Sequence, residues 1–556
     1  MRFLPRRMVW SLPNSPLFTL LTCLALAQLQ GLAFQDQPKA QLPPLPLSPI
    51  EQAEKDGTAL PMSLRGLTKV ALQNNLDIAI SDTNEVLYQQ RVLQAYGPYD
   101  PALIVGLGVQ SSKRPNTNLT NTSTTGSFNK TDLANWNFQL AKNLPTGGGI
   151  TATYSSSRSD TNQQFALFSP QYNSSLSLQF TQPLNRNFRI DQNRGTIKLA
   201  NLDTKLNDSQ FRQTVTTTVA TIQGMYWDLV GAIRNFEIQR ESVSLARISL
   251  ENNTKEVEIG VLAPISITEA RAAMANNQVN MISAREAIVV AENNLRSVLS
   301  PDRNAEIWHK VIVPTDTPEF VEYKVDFNSA IDTALKKRPE LEQYDIQVQE
   351  NQVNYQVDQN LKKWQVDLVG SLGSVGVAGP QGYNPLTNKP LIDPNLIGGI
   401  GNANSLLFTG GYVNWSAGFN IGIPLRNRSL EAQLGQLKVQ RQQLLMNRKS
   451  TEQKITVQVR NALEDLDTNK QRVETARVAT QLAQEELEGE TKRFQAGMSQ
   501  NFLVLQRQQD LATAKGTELQ SLVSYKKSII ALQQAMYTLL ESNDYEIAKS
   551  ESAAHH

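Results

Sequence analysis

The chain carries one long pattern twice, and that repetition limits what it can fold into. A helical opening at residues 67–95 (LTKVALQNNLDIAISDTNEVLYQQRVLQA) returns at 330–360 (AIDTALKKRPELEQYDIQVQENQVNYQVDQN). After each come a Gly-, Ser- and aromatic-rich alternating stretch, a Pro-Leu junction (Pro183-Leu184, Pro424-Leu425), a long polar helix, a glycine break (Gly260, Gly497) and a second helix. A period of about 240 residues is far longer than a solenoid repeat, so each half is a whole module. Two such modules predict one elongated body rather than the three or four globular domains that 556 residues would otherwise allow.

A net charge of +1 gives no electrostatic case for nucleic acid. Arg2, Arg6 and Arg7 precede an apolar run at 17–27 and small residues up to Ala33, the order of a secretory signal peptide (1–33). The single cysteine, Cys23, lies in that run, which removes disulfides and thiol chemistry from a processed chain. Thr22 before Cys23 fits a lipid anchor poorly. Residues 34–61, rich in Pro and Gln, read as a disordered lead-in. The remaining boundaries are a first module at 62–300, a connecting segment at 301–326, a second module at 327–541 and a tail at 542–556.

In the first module a helix from about Leu64 should run to Gly97-Pro98, after which the period changes to two. Strand-like runs occupy 102–109, 136–141, 150–157 and 176–181; the second module offers 366–377 and 412–423. Weakly hydrophobic strands with aromatics and long polar loops fit an outer-membrane β-barrel, although a soluble β-sandwich reads much the same. The surplus of the first strand region contains two runs joined by the turn 143–149, which predicts six strands per chain; a hairpin standing above the membrane is the alternative.

The long helices decide between barrel and sandwich. Continuous helix over the seventy-odd residues before each glycine break would be about 100 Å long, beyond any globular domain. Val215, Val219, Ile222, Tyr226, Leu229, Ile233 and Phe236 alternate steps of four and three, as do Ile455, Val459, Ala462, Leu466, Val473, Ala476, Ala483 and Leu487. Asn469 and Thr480 interrupt the second series. Such seams predict coiled-coil packing along the helices.

Catalytic chemistry finds no support. His309, His555 and His556 are the only histidines, too few and too scattered for a triad or a zinc site. Thr146-Gly147-Gly148-Gly149 lacks the Gly-Lys-Ser/Thr end of a phosphate loop and reads as a hairpin turn. Asn118, Asn121 and Asn173 head Asn-x-Ser/Thr triplets that polar loops produce by composition, and Glu485-Glu486 reads as a solvated helix face. The expectation is a non-enzyme without cofactor or metal.

The doubled helix openings around 71–75 and 334–341, the junctions Gln182-Pro183-Leu184 and Ile423-Pro424-Leu425, and the tip segments 258–262 and 493–506 together resemble the trimeric outer-membrane efflux channels, the TolC-like family. The resemblance covers about residues 60 to 541. It implies a membrane α+β fold, in which a homotrimer builds one β-barrel in the outer-membrane lipid and one α-helical coiled-coil barrel through the periplasm. It also implies a passive exit duct for a tripartite efflux or type I secretion system, with a periplasmic adaptor protein and an inner-membrane pump as partners. The adaptor contacts implied are Gly260, Val261, Leu262, Ala496, Gly497, Met498 and Ser499. Departures accompany the likeness. Members carry acids six and nine positions after the second tip glycine, where Leu503 and Gln506 stand here; a tyrosine and an arginine of the family's gate are Phe494 and Ser499. Glu269, nine positions after Gly260, takes the place equivalent to Gln506, so the expected gate comprises Glu269 with Ser266, Phe494, Leu503 and Gln506. Like charges about 6 Å apart repel by roughly 3 kcal/mol at an effective dielectric near 20, so a ring of three Glu269 would need protons, cations or arginines such as Arg271 and Arg507. An exported coiled-coil protein outside the membrane is the alternative reading.

Overall fold

The computed structural model describes residues 45–116, 123–124, 126–300, 302, 304–382, 390, 392–543 and 545. The expected signal peptide and Cys23 lie outside these, as do Asn118, Asn121 and most of the expected C-terminal tail. From Ser48 onward the described residues form one compact unit.

The lead-in is ordered where it is described, contrary to the expectation of disorder. Ser48 accepts from the Glu51 N–H at 3.1 Å while the Glu51 carboxylate accepts from the Ser48 N–H at 2.9 Å, a reciprocal cap that starts helix α1 (Pro49–Lys55). Arg240 then grips Glu51 at 2.6 and 3.1 Å, and this guanidinium holds the carboxyl down at about 2. Strand β1 (Ala59–Met62) follows and pairs in parallel with β6 (Val311–Pro314), so the connecting segment also contributes a strand.

The opening helix of each module is broken once, which corrects the expectation of a single run to Gly97. In the first module α2 (Leu64–Asn74) stops at Asn75, whose side chain accepts from Asp77 and Ile78 N–H at 2.9 and 3.2 Å and so caps α3 (Leu76–Tyr96). In the second, α6 (Phe327–Lys337) stops at Arg338, and Pro339 starts α7 (Pro339–Leu361). Proline forces the preceding residue out of helical geometry; asparagine achieves the same bend by capping. Backbone angles agree, with φ −69° and ψ 129° at Asn75 and φ −64° and ψ 121° at Arg338.

Six strands form one antiparallel sheet in the order β2 (Ala102–Pro115), β3 (Phe128–Asn143), β4 (Gly149–Thr161), β5 (Gln171–Pro183), β7 (Gln365–Ala378) and β8 (Val413–Gly422). The extra hairpin β3–β4 lies within this sheet, joined by a turn in which Leu144 N–H donates to Gly148 O at 2.8 Å. The short helix α8 (Ile400–Leu406) covers part of the sheet, and a Cβ on Gly376 would come within 1.9 Å of the Ala403 carbonyl oxygen.

After β5 the chain enters α4 (Gln192–Glu258, 67 residues), turns, and returns as α5 (Ile265–Leu299). After β8 it enters α9 (Arg428–Gln495, 68 residues) and returns as α10 (Asn501–Met536), followed by the short α11 (Leu539–Ser542). At 1.5 Å per residue α4 and α9 each run about 100 Å. All seven residues of the first seam are buried, and in the second Ala483 alone is only partly so. Ile455, Val459 and Leu466 pack with Ala330, Ala334 and Tyr525, so the opening helices of the second module close the core of the long pair. No helix is long and apolar enough to cross a membrane, among the described residues.

Candidate functional site

Strand register sorts the sheet into two faces. Leu107 stands opposite Trp136, which stands opposite Ser156; Val105, Phe138, Tyr154 and Leu176 form the neighbouring row. Leu103, Leu140, Ala152, Leu178, Leu372 and Trp415 make a third row across all six strands. Cross-strand partners share a face, so these rows are one apolar surface. Trp415 is 77% exposed on it, and Phe419, Ile421, Leu103 and Leu107 are exposed beside it. Residues one step away are Asn135, Asn137, Gln139, Thr151, Thr153, Ser175, Ser177, Gln179, Ser371 and Ser416, which make the other face mostly polar, with Ile104, Val369 and Val375 as apolar exceptions.

A soluble sandwich would bury its apolar face against a second sheet. Here the exposed apolar row runs from Trp415 on β8 to Ile423 just past its end, about nine residues, the length a tilted strand needs to cross a lipid-facing band. Ser156 and Ser174 bond each other at 3.0 Å near the loop-side end, where α8 is held by the Tyr154 hydroxyl donating to Asn404 at 2.8 Å. β2 and β8 are the edges of the sheet, so a row of backbone groups on each lacks a strand partner among the described residues.

The turns between the long helices are built alike. At the first, Gly260 N–H donates to Val257 O at 3.0 Å and Val261 N–H to Glu256 O at 2.8 Å. At the second, Gly497 N–H donates to Phe494 O and Met498 N–H to Arg493 O, both at 2.9 Å. This is the Schellman arrangement, which needs a left-handed residue at the glycine; φ is +80° at Gly260 and +73° at Gly497. A Cβ on either glycine would meet nothing within 4 Å, so backbone sign, not close approach, demands glycine here. Both tips present apolar side chains to solvent: Val261 is 68% and Met498 75% exposed, flanked by exposed Ile259, Ile265 and Phe502. Leu262 and Ser499 are half-buried, Ala496 is exposed, and the Ser499 hydroxyl donates to Glu490 beneath the second tip.

The expected gate residues are spread over two environments. Ser266 is buried, its carbonyl 3.5 Å from the Asn253 amide, and Phe494 packs against Leu487, Val504 and Leu511. Leu503 and Gln506 are exposed on α10, where the Gln506 amide donates to Asp510 at 3.1 Å. Glu269 is half-buried on α5 and has no ion-pair partner among the described residues. Of its two expected arginines, Arg507 is engaged with Glu486 at 2.9 Å and Asp510 at 3.1 Å, while Arg271 is exposed. Among the described residues no cluster of acids, histidines or cysteines could hold a metal ion. The register of the two-faced sheet, the Asn75 break and the β1–β6 pair go beyond the sequence expectations; alternation, an Asx cap and the β-branched run Val311-Ile312-Val313 are their signals.

Comparison with known proteins agrees with this geometry. Residues 148–300 and 330–536 match the family described as Outer membrane efflux protein. Among solved structures, a membrane protein from Pseudomonas aeruginosa is similar at a TM-score of 0.62 with 14% identity, over 94% of this chain and 99% of that one. The Campylobacter jejuni CmeC outer membrane channel gives 0.59 with 15% identity, over 88% and 87% of the two chains. The Neisseria gonorrhoeae MtrE outer membrane channel in its open state gives 0.57 with 15% identity, over 88% and 90%. No curated protein sequence matches the chain.

Proposed function

Because the chain belongs to the outer membrane efflux protein family, we propose that three copies close one eighteen-strand barrel in the outer membrane and one helical tunnel through the periplasm. The protein is an efflux channel, the exit duct through which substrates leave, and energy for transport comes from a partner pump. The observation that carries the trimer is the sheet itself: one face apolar and exposed, one polar, and both edges open. Lipid tolerates no unpaired strand edge, and six strands are too few to close a water-filled barrel. Pairing β8 of one protomer with β2 of the next satisfies every edge and turns the polar face toward a common lumen.

In this reading the helix pairs line the periplasmic tunnel, and the tips around Gly260–Leu262 and Ala496–Ser499 receive the adaptor. Their exposed apolar side chains, set on two matched turns, are what a helical partner would bury. Near the closed mouth Glu269 takes the place of the family's second-module acids, with Arg271 free to answer it in a neighbouring protomer. Outer-membrane fractionation tests the whole: the chain should stay with the outer membrane and migrate as a heat-modifiable trimer. A monomer released with soluble periplasmic proteins would sink the reading and restore the coiled-coil alternative.

A further inference from the structure

A cluster of cations sits at the helix-side limit of the apolar face, and conduction through the duct gives it no task. The connection leaving β5 and the one entering β7 are clasped there. Leu184 N–H donates to Val366 O at 2.7 Å, the Asn185 amide to Trp364 O at 3.0 Å, and Asn187 N–H to the Asn360 side chain at 2.6 Å. Beside the clasp lies a cleft of about 600 Å³ whose lining includes Arg189, Lys198, Gln359, Asn360, Lys362 and Lys363. No carboxylate lines it. Of the acids nearby, Glu431 reaches Lys362 at 3.5 Å and Asp191 is held by Arg194 at 3.1 Å. Arg189, Lys198 and Lys363 have no carboxylate partner among the described residues.

The level of this cleft is set by its neighbours. Trp364 is 56% exposed and continues the apolar row of β7 one step below Val366. Past the end of β8 come the apolar Ile423 and Leu425, the latter 98% exposed, immediately before Arg426 and Arg428. An apolar band that ends in tryptophan and then in cations marks the boundary between hydrocarbon and headgroups. The cleft therefore lies where phosphates of the helix-side leaflet are found, provided the sheet is the membrane wall proposed above.

We propose that the cleft binds the headgroup of an anionic phospholipid, whose acyl chains lie against Trp364 and the apolar face. The Arg189 guanidinium and the Lys198 and Lys363 ammonium groups donate to the phosphodiester oxygens, and the Gln359 amide is placed for a glycerol headgroup. Inorganic phosphate shares the charge but has no chains to place on Trp364.

Native mass spectrometry of the full-length trimer in neutral detergent tests this, with phosphatidylglycerol and phosphatidylcholine of identical chains as probes. The native sequence should retain phosphatidylglycerol on the order of tenfold better, since each surface cation contributes about fivefold to anionic-lipid attraction and detergent headgroups compete for part of it. Lys198→Gln combined with Lys363→Gln should bring the two lipids within about twofold, while Lys449→Gln with Lys454→Gln, on exposed α9 surface, should leave the preference intact. Trp364→Ala should weaken retention of both lipids without changing their ratio. Equal retention by an intact native trimer, a preference that survives the Lys198/Lys363 pair, or displacement of the lipid by equimolar inorganic phosphate would each overturn the inference alone. Absence of any membrane trimer would overturn the channel reading and this inference with it.

Discussion

The Tyr226 hydroxyl donates to Oδ2 of Asp316 at 2.5 Å, and the two residues lie on parts of the chain that only the fold brings together. Tyr226 sits mid-way along α4, fully buried, and Asp316 follows β6 in the connecting segment. Asp316 also accepts the Leu64 N–H at 2.7 Å, so one carboxylate ties the long helix to the start of α2. Burial, and then the Asp316 carboxylate, push the Tyr226 hydroxyl above its ordinary range, which keeps it a donor at any physiological pH. Tyr226→Phe should cost about 1–3 kcal/mol, since it strips a donor from a carboxylate that stays in place. Thermal unfolding of the purified protein reads this, with Tyr96→Phe, exposed at the end of α3, as a control that should move little.

The two tip glycines allow shape and backbone sign to be separated. A side chain at Gly497 meets open space but must adopt a left-handed conformation, which costs most residues about 1–2 kcal/mol and asparagine less. Gly497→Asn should therefore support export, Gly497→Val should fray the tip, and Gly497→Trp should abolish export by blocking the adaptor while trimer levels stay normal. The same series at Gly260 should behave alike, because the two turns share their hydrogen bonds. Export assays beside immunoblots of the outer-membrane trimer distinguish these cases; loss of trimer in both Trp variants would assign the glycines a purely structural role.

If Glu269 lines the pore as proposed, its charge should be readable in conduction. Gln506, its counterpart, is neutral and bonded to Asp510, and Arg507 is taken up by Glu486 and Asp510, which leaves Glu269 as the unpaired acid among the expected gate residues. Glu269→Gln should reduce cation selectivity in planar bilayers by several-fold or raise conductance. Unchanged current and selectivity would remove Glu269 from the pore.

Glu350 on α7 makes the helix packing depend on pH. Burial, and then the neighbouring Asp203 carboxylate on α4, raise its carboxyl from 4.5 to about 7. A raised carboxyl binds its proton more tightly in the folded state, so its contribution is fully present below pH 4.5 and is lost as pH rises to about 7. The melting temperature should fall between those limits and level off above them, and Glu350→Gln should flatten that slope. A melting curve of identical slope in both proteins would contradict the assignment.

Much of this architecture is readable in the sequence because it rests on periodicity. The Val215–Phe236 seam and the Ile455–Leu487 series name the buried stripes of two helices nearly residue by residue, and the turn before Gly149 locates the extra hairpin. What is not readable depends on partners distant in sequence. Register alone places Leu107 beside Trp136 and thereby makes one apolar face out of strands that are each only weakly apolar. The order at Ser48–Glu51 hides inside a Pro-rich composition, although the capping pattern is present; Arg240, which completes it, stands 189 positions away. Spacing from Gly260 singles out Glu269, but spacing carries no information about which neighbour answers its charge.

If the six-stranded sheet separates lipid from a water-filled lumen, adjacent residues on β7 must meet different solvents. Leu372 lies on the apolar face and Ser371, bonded to Ser416 at 2.7 Å, on the polar one. Single-cysteine chains at these two positions, labelled with a fluorophore in outer-membrane vesicles, can be challenged with a lipid-borne quencher and with aqueous iodide. The label at Leu372→Cys should respond to the lipid-borne quencher alone and that at Ser371→Cys to iodide alone. Equal quenching of both labels by iodide would contradict the account.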